Sequence, residues 1–294
     1  AMQSAPMSFN VVLGAALASA CVLCCTAMPF NETLAIEFAK LAAASHCPQD
    51  SLESWSCGWK CSVNVKDVSV CQGDATQAYV GLWDSTCIVG FQGTHGVLSV
   101  IHDIMFAQAT LNWTSCDGCR VHSGFLTEYM SLKPCIRKAL SEKGCGKGTT
   151  IRTTGWSLGG ATSTLAAGEL AQEGWKVEHY DFGKPRVGDP AFAQWFNKLV
   201  GDGAWRVTHH KDPVPHLPPD QWAIYNWNFA HTAPEAFYDG SVASGHVECT
   251  APDDPKCSRQ YESLAGDLVY VLDHFHQMDL RMGKSGCGDA MPNA

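Results

Sequence analysis

The sequence predicts an α/β protein whose central sheet is mainly parallel and covered by helices on both faces. From about residue 80 to residue 210, short β-rich runs alternate with longer helical patterns, and this alternation is typical of parallel sheets. Within this region, the motif Gly-Trp-Ser-Leu-Gly-Gly at residues 155–160 lies between a predicted strand and a predicted helix. A tight strand-to-helix turn needs small residues at such positions.

The elements before this motif follow from the spacing of apolar residues. Residues 31–45 carry an apolar stripe at helical spacing and predict the first helix. Residues 79–83 and 87–91 predict two strands around an Asp-Ser turn. Residues 97–107 predict a short apolar helix, and residues 122–142 predict a longer helix that is kinked by its internal proline.

The elements that flank and follow the motif are predicted by the same patterns. Residues 149–154 predict the strand before it, and residues 158–173 predict the helix after it, which a glycine ends. Residues 177–182 and 205–208 predict two further strands. Between these strands, an Asp-Pro pair supplies an N-cap and a proline at the first helical position, and it opens a helix over residues 190–201.

Composition narrows the possible functions and the compartment. The chain has 20 Lys and Arg residues against 29 Asp and Glu residues, which gives a net charge of −9. An acidic chain without basic runs argues against binding to nucleic acid. Fifteen cysteines indicate an oxidising compartment, because a reducing cytosol rarely contains disulfide-rich proteins. We therefore expect a secreted protein or one in the lumen of the secretory pathway.

Residues 1–27 predict a signal or leader segment. No charged residue precedes Glu32, and an apolar run there is followed by small residues. A membrane anchor and a packed segment of the mature chain are the alternatives. Removal of the chain through Ala27 takes away three of the fifteen cysteines and leaves twelve, an even number for a disulfide framework. Sequons at Asn31 and Asn112 predict glycosylation, which fits secretion.

Ser157 is the candidate nucleophile of the central motif. Gly155 and Gly159 let the strand and the following helix approach closely, and this lifts the serine to the C-terminal end of the strand. A serine is a weak nucleophile by itself, so it needs a base and a carboxylate that orients the base. The alternative is that Ser157 only caps a helix in an ordinary turn.

In hydrolases built on this kind of turn, the acid and the histidine follow the serine in the chain. Asp212 comes shortly after the strand at residues 205–208, at the sheet edge where ligands bind. Asp189 is better explained as a helix cap, and Asp202 as part of a glycine-flanked turn. Spacing alone favours His274 as the base, with His276 as its rival. The downstream histidines considered are His216, His231, His246, His274 and His276.

Several further motifs occur in order along the chain, and together they are more specific than the serine motif by itself. They span residues 88–94, 121–125, 155–160, 182–189 and 212–219, together with His231, Pro234-Glu235 and Asp273-His274. In these blocks, over roughly residues 31–287, the chain resembles the fungal-type class 3 lipases. This is an α/β-hydrolase family of secreted triacylglycerol lipases and related esterases. The resemblance implies an α/β-hydrolase fold with a short helical lid, and residues 28–294 as a single domain.

The resemblance also implies roles for individual residues. Ser157 would be the nucleophile, Asp212 the orienting acid and His274 the base. The oxyanion hole would be formed by Thr94, through its backbone N–H and hydroxyl, and by the backbone N–H of Leu158. Two positions depart from the family's usual pattern, since glutamine stands at residue 92 where arginine is usual and tryptophan at residue 156 where histidine is usual.

The segment after Thr94 corresponds to the lid of the resembled lipases. Its apolar residues are too many for one buried stripe, which suits a flap that opens at a lipid surface; a packed core helix is the alternative. The lid residues are His95, Gly96, Val97, Leu98, Ser99, Val100 and Ile101. We expect a secreted lipase that acts on long-chain acylglycerols at an oil–water or membrane interface, without cofactor, metal or obligate protein partner. Alternatives are a phospholipase A1, a feruloyl-type esterase and a non-catalytic binding protein of the same fold.

Twelve cysteines remain for disulfides after the leader. Cys57, Cys61, Cys116 and Cys119 could in principle form a zinc site, but the resemblance implies that they close two small loops. It also implies a bond between the first helix and the C-terminal end. The predicted pairs are Cys57–Cys61, Cys116–Cys119 and Cys47–Cys287, and, from proximity in the chain, Cys71–Cys87, Cys135–Cys145 and Cys249–Cys257.

Overall fold

The structure is a computed structural model that describes residues 29–94, 96, 107–112, 115–222, 225–226, 228–264 and 268–290. The predicted leader and the predicted lid, apart from Gly96, lie outside these residues. None of the described helices combines the length and hydrophobicity that a membrane span requires.

An eight-stranded sheet crosses the described part of the chain, in the order β1-β2-β3-β6-β7-β8-β11-β12. The neighbours from β3 to β11 are parallel, and the pairs at both ends of the sheet are antiparallel. Short strands form three two-stranded sheets, β4 with β5, β9 with β10 and β13 with β14. The strands are β1 Val65–Gln72, β2 Gln77–Trp83, β3 Thr86–Phe91, β4 Gln108–Thr110, β5 Arg120–His122, β6 Thr150–Trp156, β7 Lys176–Phe182, β8 Ala204–His209, β9 Gln221–Trp222, β10 Tyr225–Asn226, β11 Glu235–Tyr238, β12 Val247–Cys249, β13 His276–Gln277 and β14 Leu280–Arg281.

Helices cover both faces of this sheet. They are α1 Glu32–Ala44, α2 Gln49–Glu53, α3 Ser123–Glu142, α4 Leu158–Gln172, α5 Pro190–Val200 and α6 Val271–His274. Successive residues of a strand point to opposite faces, so Tyr79 and Ile88 pack with α1 in one core, whereas Val80 and Val89 pack with α3, α4 and α5 in the other. The predicted α/β fold with a mainly parallel centre is confirmed.

The predicted strands and helices that fall on described residues are present, with ends displaced by at most two residues. The helix predicted over residues 97–107 falls almost wholly outside the described residues. β1, β11 and β12 were not predicted. β1 is missed because its middle is only partly buried, so its sequence lacks a clear apolar alternation. α3 runs through Pro134 as one helix.

Two predicted disulfide pairings are wrong, because Cys71 is bonded to Cys135 and Cys87 to Cys145. Cys71 pairs across β1 and β2 with Ala78, and Ala78 pairs with Phe91 at the far end of β3 from Cys87. Cys71 and Cys87 are thus two strands apart, at about 5 Å per strand, and also displaced along the strands. Cys135 lies inside α3, and the turns that follow it carry the chain about 10 Å away before Cys145.

The other four pairs are disulfides in the structure. These are Cys47–Cys287, Cys57–Cys61, Cys116–Cys119 and Cys249–Cys257. The four cysteines that could have formed a zinc site are therefore engaged in two local loops. Asn31 and Asn112 are both exposed, and their glycosylation remains a prediction.

Candidate active site

Ser157 occupies the sharp turn between β6 and α4. Its backbone has φ 59° and ψ −129°, a conformation that non-glycine residues rarely adopt and that often marks functional sites. Its N–H donates to the carbonyl of Phe182 at the end of β7 (3.0 Å). A Cβ atom at Gly155 would overlap the carbonyl of Gly159, so this crossing of strand and helix admits only small residues. The turn that the motif predicts is therefore present.

The predicted oxyanion donors lie on the two segments that meet at this turn. Leu158 is the first residue of α4, and the N–H groups of a first helical turn have no acceptor within the helix. Gly93 packs against the turn, where a Cβ atom would lie 2.7 Å from the Trp156 carbonyl oxygen and 3.3 Å from Ser157 Cβ. Thr94 follows it, and its buried hydroxyl has no hydrogen-bond partner among the described residues.

Asp212 and His274 form a buried pair. His274 Nδ1 lies 2.8 Å from Asp212 Oδ2 and 3.0 Å from Oδ1. The carboxylate also accepts hydrogen bonds from the Val214 N–H (2.9 Å) and from Gln277 Nε2 (3.2 Å). These donors fix the orientation of the carboxylate. The carboxylate then accepts a hydrogen bond from His274 Nδ1, which carries the proton of the ring. His274 Nε2 is buried and has no hydrogen-bond partner among the described residues, which leaves it able to take a proton.

The end of β7 brings the serine turn and this pair together. Phe182 accepts the hydrogen bond of Ser157, and the next residue is Gly183 with φ 51°. A Cβ atom at Gly183 would lie 2.7 Å from Asp212 Oδ2 and 3.2 Å from His274 Nδ1. On the other side, the ring of Trp156 stacks on the imidazole of His274. The nucleophile candidate and the acid–base pair thus share two neighbours.

The other histidines considered from sequence are placed elsewhere. His276 is exposed, and its Nδ1 bonds the Leu272 carbonyl (2.9 Å). His231 is buried and bonds the Pro215 carbonyl through Nε2 (2.6 Å), and His246 pairs with Glu248. Among these histidines, His274 is the one whose ring bonds Asp212.

Replacement of Gly183 by alanine is expected to lower kcat on the order of 10²-fold, because a methyl group there displaces Asp212 and His274 from one another. Gly201→Ala is the matched control, since Gly201 has nearly the same φ (50°) but open space where its Cβ would be. Steady-state kinetics on a soluble ester, with thermal unfolding of both variants, measures the difference. Equal losses of activity in the two variants would contradict this role of Gly183.

Three neighbours of the site were not predicted from sequence. Gln277 holds Asp212, and His46, on the segment after α1, accepts the N–H of Gly93 through Nε2 (3.2 Å). Neither residue lies in a motif that suggests such a role. The third neighbour is Trp156, which the sequence distinguishes only as a departure from the family's usual residue. Gln92, the other departure, is buried, and its Oε1 accepts the Gln77 N–H (3.1 Å).

A buried arginine anchors the loop that follows Asp212. Arg186 donates through Nη1 to the carbonyls of His216 (2.9 Å) and Pro218 (3.1 Å). Through Nη2 it donates to Asp253 and Glu262, each at 2.8 Å. Burial by itself would raise the pKa of Asp253, but the charges of His231 and Arg186 together outweigh it and hold that pKa below its usual range. The loop next to the acid is therefore held by ionic contacts as well as by packing.

The stability of this loop is expected to depend on pH through His216. Burial, followed by the charges of Arg186 and Arg206, lowers the pKa of His216 to about 3. The unfolded chain takes up this proton below about pH 6.5, whereas the folded chain does not. The free energy of unfolding therefore falls with decreasing pH, by about 1.4 kcal/mol per unit from this residue. Urea unfolding from pH 6 to pH 4 should show a shallower loss in His216→Gln than in the wild type, and equal slopes would refute the assignment.

Comparison with known proteins agrees with this arrangement. Residues 88–222 match the model of the class 3 lipase family. The chain is 36% identical over 154 residues to secreted mono- and diacylglycerol lipase 1 of Fusarium solani. This alignment covers 52% of this chain and 44% of that protein. It is 31% identical over 219 residues to a lipase of Rhizomucor miehei, covering 71% of this chain and 56% of that protein. The chain thus spans about half the length of the curated relatives it matches.

The fold is similar to solved structures of the same kind. Lipase II of Rhizopus niveus superposes with a TM-score of 0.69 at 27% sequence identity, covering 86% of this chain and 96% of that one. The matched region includes the strand-to-helix turn with Ser157 and the segment with Asp212. The resemblance to the fungal class 3 lipases inferred from the ordered sequence blocks is confirmed.

Proposed function

We propose that this chain is a secreted serine lipase that hydrolyses the ester bonds of acylglycerols. The observation that carries the proposal is the buried Asp212–His274 pair, whose second imidazole nitrogen is unbonded among the described residues. The end of β7 and Trp156 adjoin both this pair and the strained strand-to-helix turn that carries Ser157. A nucleophile, a base and an orienting acid in this order are the parts that acyl transfer by a serine requires.

In the first half of the reaction, His274 Nε2 takes the proton of the Ser157 hydroxyl as Oγ attacks the ester carbonyl carbon. The carbonyl oxygen becomes an oxyanion, to which the backbone N–H groups of Thr94 and Leu158 donate, together with the Thr94 hydroxyl. Collapse of this intermediate breaks the bond to the alcohol, and the imidazolium of His274 gives its proton to the leaving oxygen. The acyl group then remains on Ser157.

In the second half, a water molecule takes the place of the alcohol. His274 accepts a proton from the water, whose oxygen attacks the acyl carbon. Collapse releases the fatty acid and returns the proton to Ser157. Asp212 stays ionised throughout and stabilises the imidazolium formed in each half.

The relatives support acylglycerols as the substrate class and secretion as the fate of the chain. The Fusarium solani relative is named a secreted mono- and diacylglycerol lipase, and the six disulfides within the described residues suit an oxidising compartment. The apolar composition of residues 95–101 supports a lid that opens at a lipid interface.

A substrate panel combined with covalent labelling tests the proposal. We expect release of fatty acid from emulsified triacylglycerol and diacylglycerol, faster above the solubility limit than below it. A p-nitrophenyl alkylphosphonate should add one alkylphosphonyl group to the peptide that contains Ser157 and abolish hydrolysis. Preference for phospholipid or for a feruloyl ester would replace the substrate class but keep the mechanism. Absence of hydrolysis on every ester, with no labelling of Ser157, would refute the proposed function.

A further inference from the structure

We propose that Trp156 is a positioning residue for the base, and that the face of its indole ring stabilises the positive charge that His274 carries during turnover. The inference rests on the proposed function, because the charge forms when His274 takes the proton of Ser157. Trp156 precedes the nucleophile in the chain, and the usual residue of the resembled family at this position is histidine.

The contacts of Trp156 with His274 involve both the ring and the backbone. The ring centroids lie 4.6 Å apart with an angle of 29° between the planes, which is a stacked arrangement. Indole Nε1 donates to the carbonyl oxygen of His274 (2.9 Å). Trp156 is 1% exposed and His274 is fully buried. The indole therefore holds the base at two points and keeps water from one face of the imidazole.

This geometry distinguishes the action of Trp156 from that of Asp212. Asp212 meets the edge of the imidazole at Nδ1, whereas Trp156 lies against its face. The face of an aromatic ring is electrically negative, and indole attracts a cation more strongly than the other aromatic side chains do. In a buried site this attraction is larger than at the surface. It favours the imidazolium over the neutral ring, so it acts on the charged intermediates of the reaction.

The same indole also contacts the segment that leads to the oxyanion hole. The ring of His46 meets Trp156 edge-on, with centroids 5.1 Å apart and an angle of 61°. His46 Nε2 accepts the N–H of Gly93, the residue before Thr94. One buried tryptophan thus packs on the base and on the histidine that holds the oxyanion segment, and its loss should disturb both.

Fluorinated tryptophans at residue 156 separate the charge effect from simple packing. Suppression of a nonsense codon can place fluorotryptophan or tetrafluorotryptophan there, which nearly keeps the shape and the N–H donor but removes negative charge from the ring face. We expect kcat on a soluble ester to fall with each step, by on the order of 10-fold for the tetrafluoro ring, with KM unchanged. The same series at Trp195, which is buried against Phe192 and hydrogen-bonded to Ser115, is the matched control and should leave kcat unchanged. A constant kcat across the Trp156 series would overturn the charge effect.

A measurement without turnover tests the positioning and separates it from the proposed function. The proton on His274 Nδ1, hydrogen-bonded to Asp212, should give a downfield NMR resonance that is retained in Trp156→Phe and lost to solvent exchange in Trp156→Leu. A sharp resonance in Trp156→Leu would overturn the positioning role. If the wild type hydrolyses no ester but the resonance depends on residue 156 as stated, the proposed function fails and the positioning role stands.

Discussion

Replacement of Ser157 by alanine is expected to lower kcat for ester hydrolysis by on the order of 10⁶-fold, the scale seen when a nucleophile of this kind is removed. No other hydroxyl in the turn can take its place, because residues 155–160 contain no other serine, threonine or tyrosine. Fatty acid release in a pH-stat, with active protein counted by phosphonate labelling of the wild type, measures the change.

Ser163→Ala is the matched control for this substitution. Ser163 is buried in α4, the helix that follows Ser157, and its hydroxyl donates to the Gly160 carbonyl of that helix (2.9 Å). Its replacement should leave kcat near the wild-type value. Retention of the wild-type rate by Ser157→Ala, with the fold intact by circular dichroism, would show that another group performs the attack.

Replacement of Asp212 by asparagine is expected to lower kcat by on the order of 10⁴-fold. The change keeps the volume of the side chain but puts an amide N–H₂ where a carboxylate oxygen accepts from His274 or Gln277. If the amide faces His274, it favours the tautomer with the proton on Nε2, which cannot accept from Ser157. The imidazolium formed during turnover also loses its counter-charge. Single-turnover kinetics with a chromogenic ester should show slower acylation and also slower hydrolysis of the acyl-enzyme, because His274 acts as the base in both halves.

Asp189→Asn is the control for the loss of a buried carboxylate. Asp189 caps α5 by accepting the Phe192 N–H (2.8 Å), and asparagine caps helices about as well as aspartate. This variant should keep kcat and stability close to those of the wild type. An equal loss in both variants would mean that Asp212 contributes by folding alone.

Local patterns made much of the fold predictable. The strands from β2 to β8 in the main sheet are short, contain several β-branched or aromatic residues and are bounded by turn residues. Each can therefore be recognised within a window of a few residues. β1 is half-exposed, and β11 and β12 are only four and three residues long, so they lack such a pattern. The turn at Ser157 was predictable for a different reason, since its glycines are required by backbone contacts that a larger residue would close.

Pairings between distant residues were predictable only in part. Proximity in the chain predicts disulfides between neighbouring cysteines, yet the sheet register separates Cys71 from Cys87, and α3 separates Cys135 from Cys145. Proximity in the chain is a poor guide when a strand or helix lies between two residues, because each such element carries the chain about 1.5–3.4 Å per residue in one direction.

Patterns in the amino-acid sequence were sufficient to predict the α/β architecture, the position of the serine turn and, through the ordered motifs, the resemblance to the class 3 lipases. Which residues are in contact depends on the tertiary structure. His274 and His276 are two residues apart with similar local surroundings, yet His274 is buried on Asp212, 62 positions away in the chain, and His276 is exposed. The stack of Trp156 on His274 and the bond from Gly93 to His46 likewise join segments that are distant in sequence. Such contacts depend on how the sheet and the helices pack in three dimensions. The spacing of apolar residues, which repeats every two or four residues, cannot predict them.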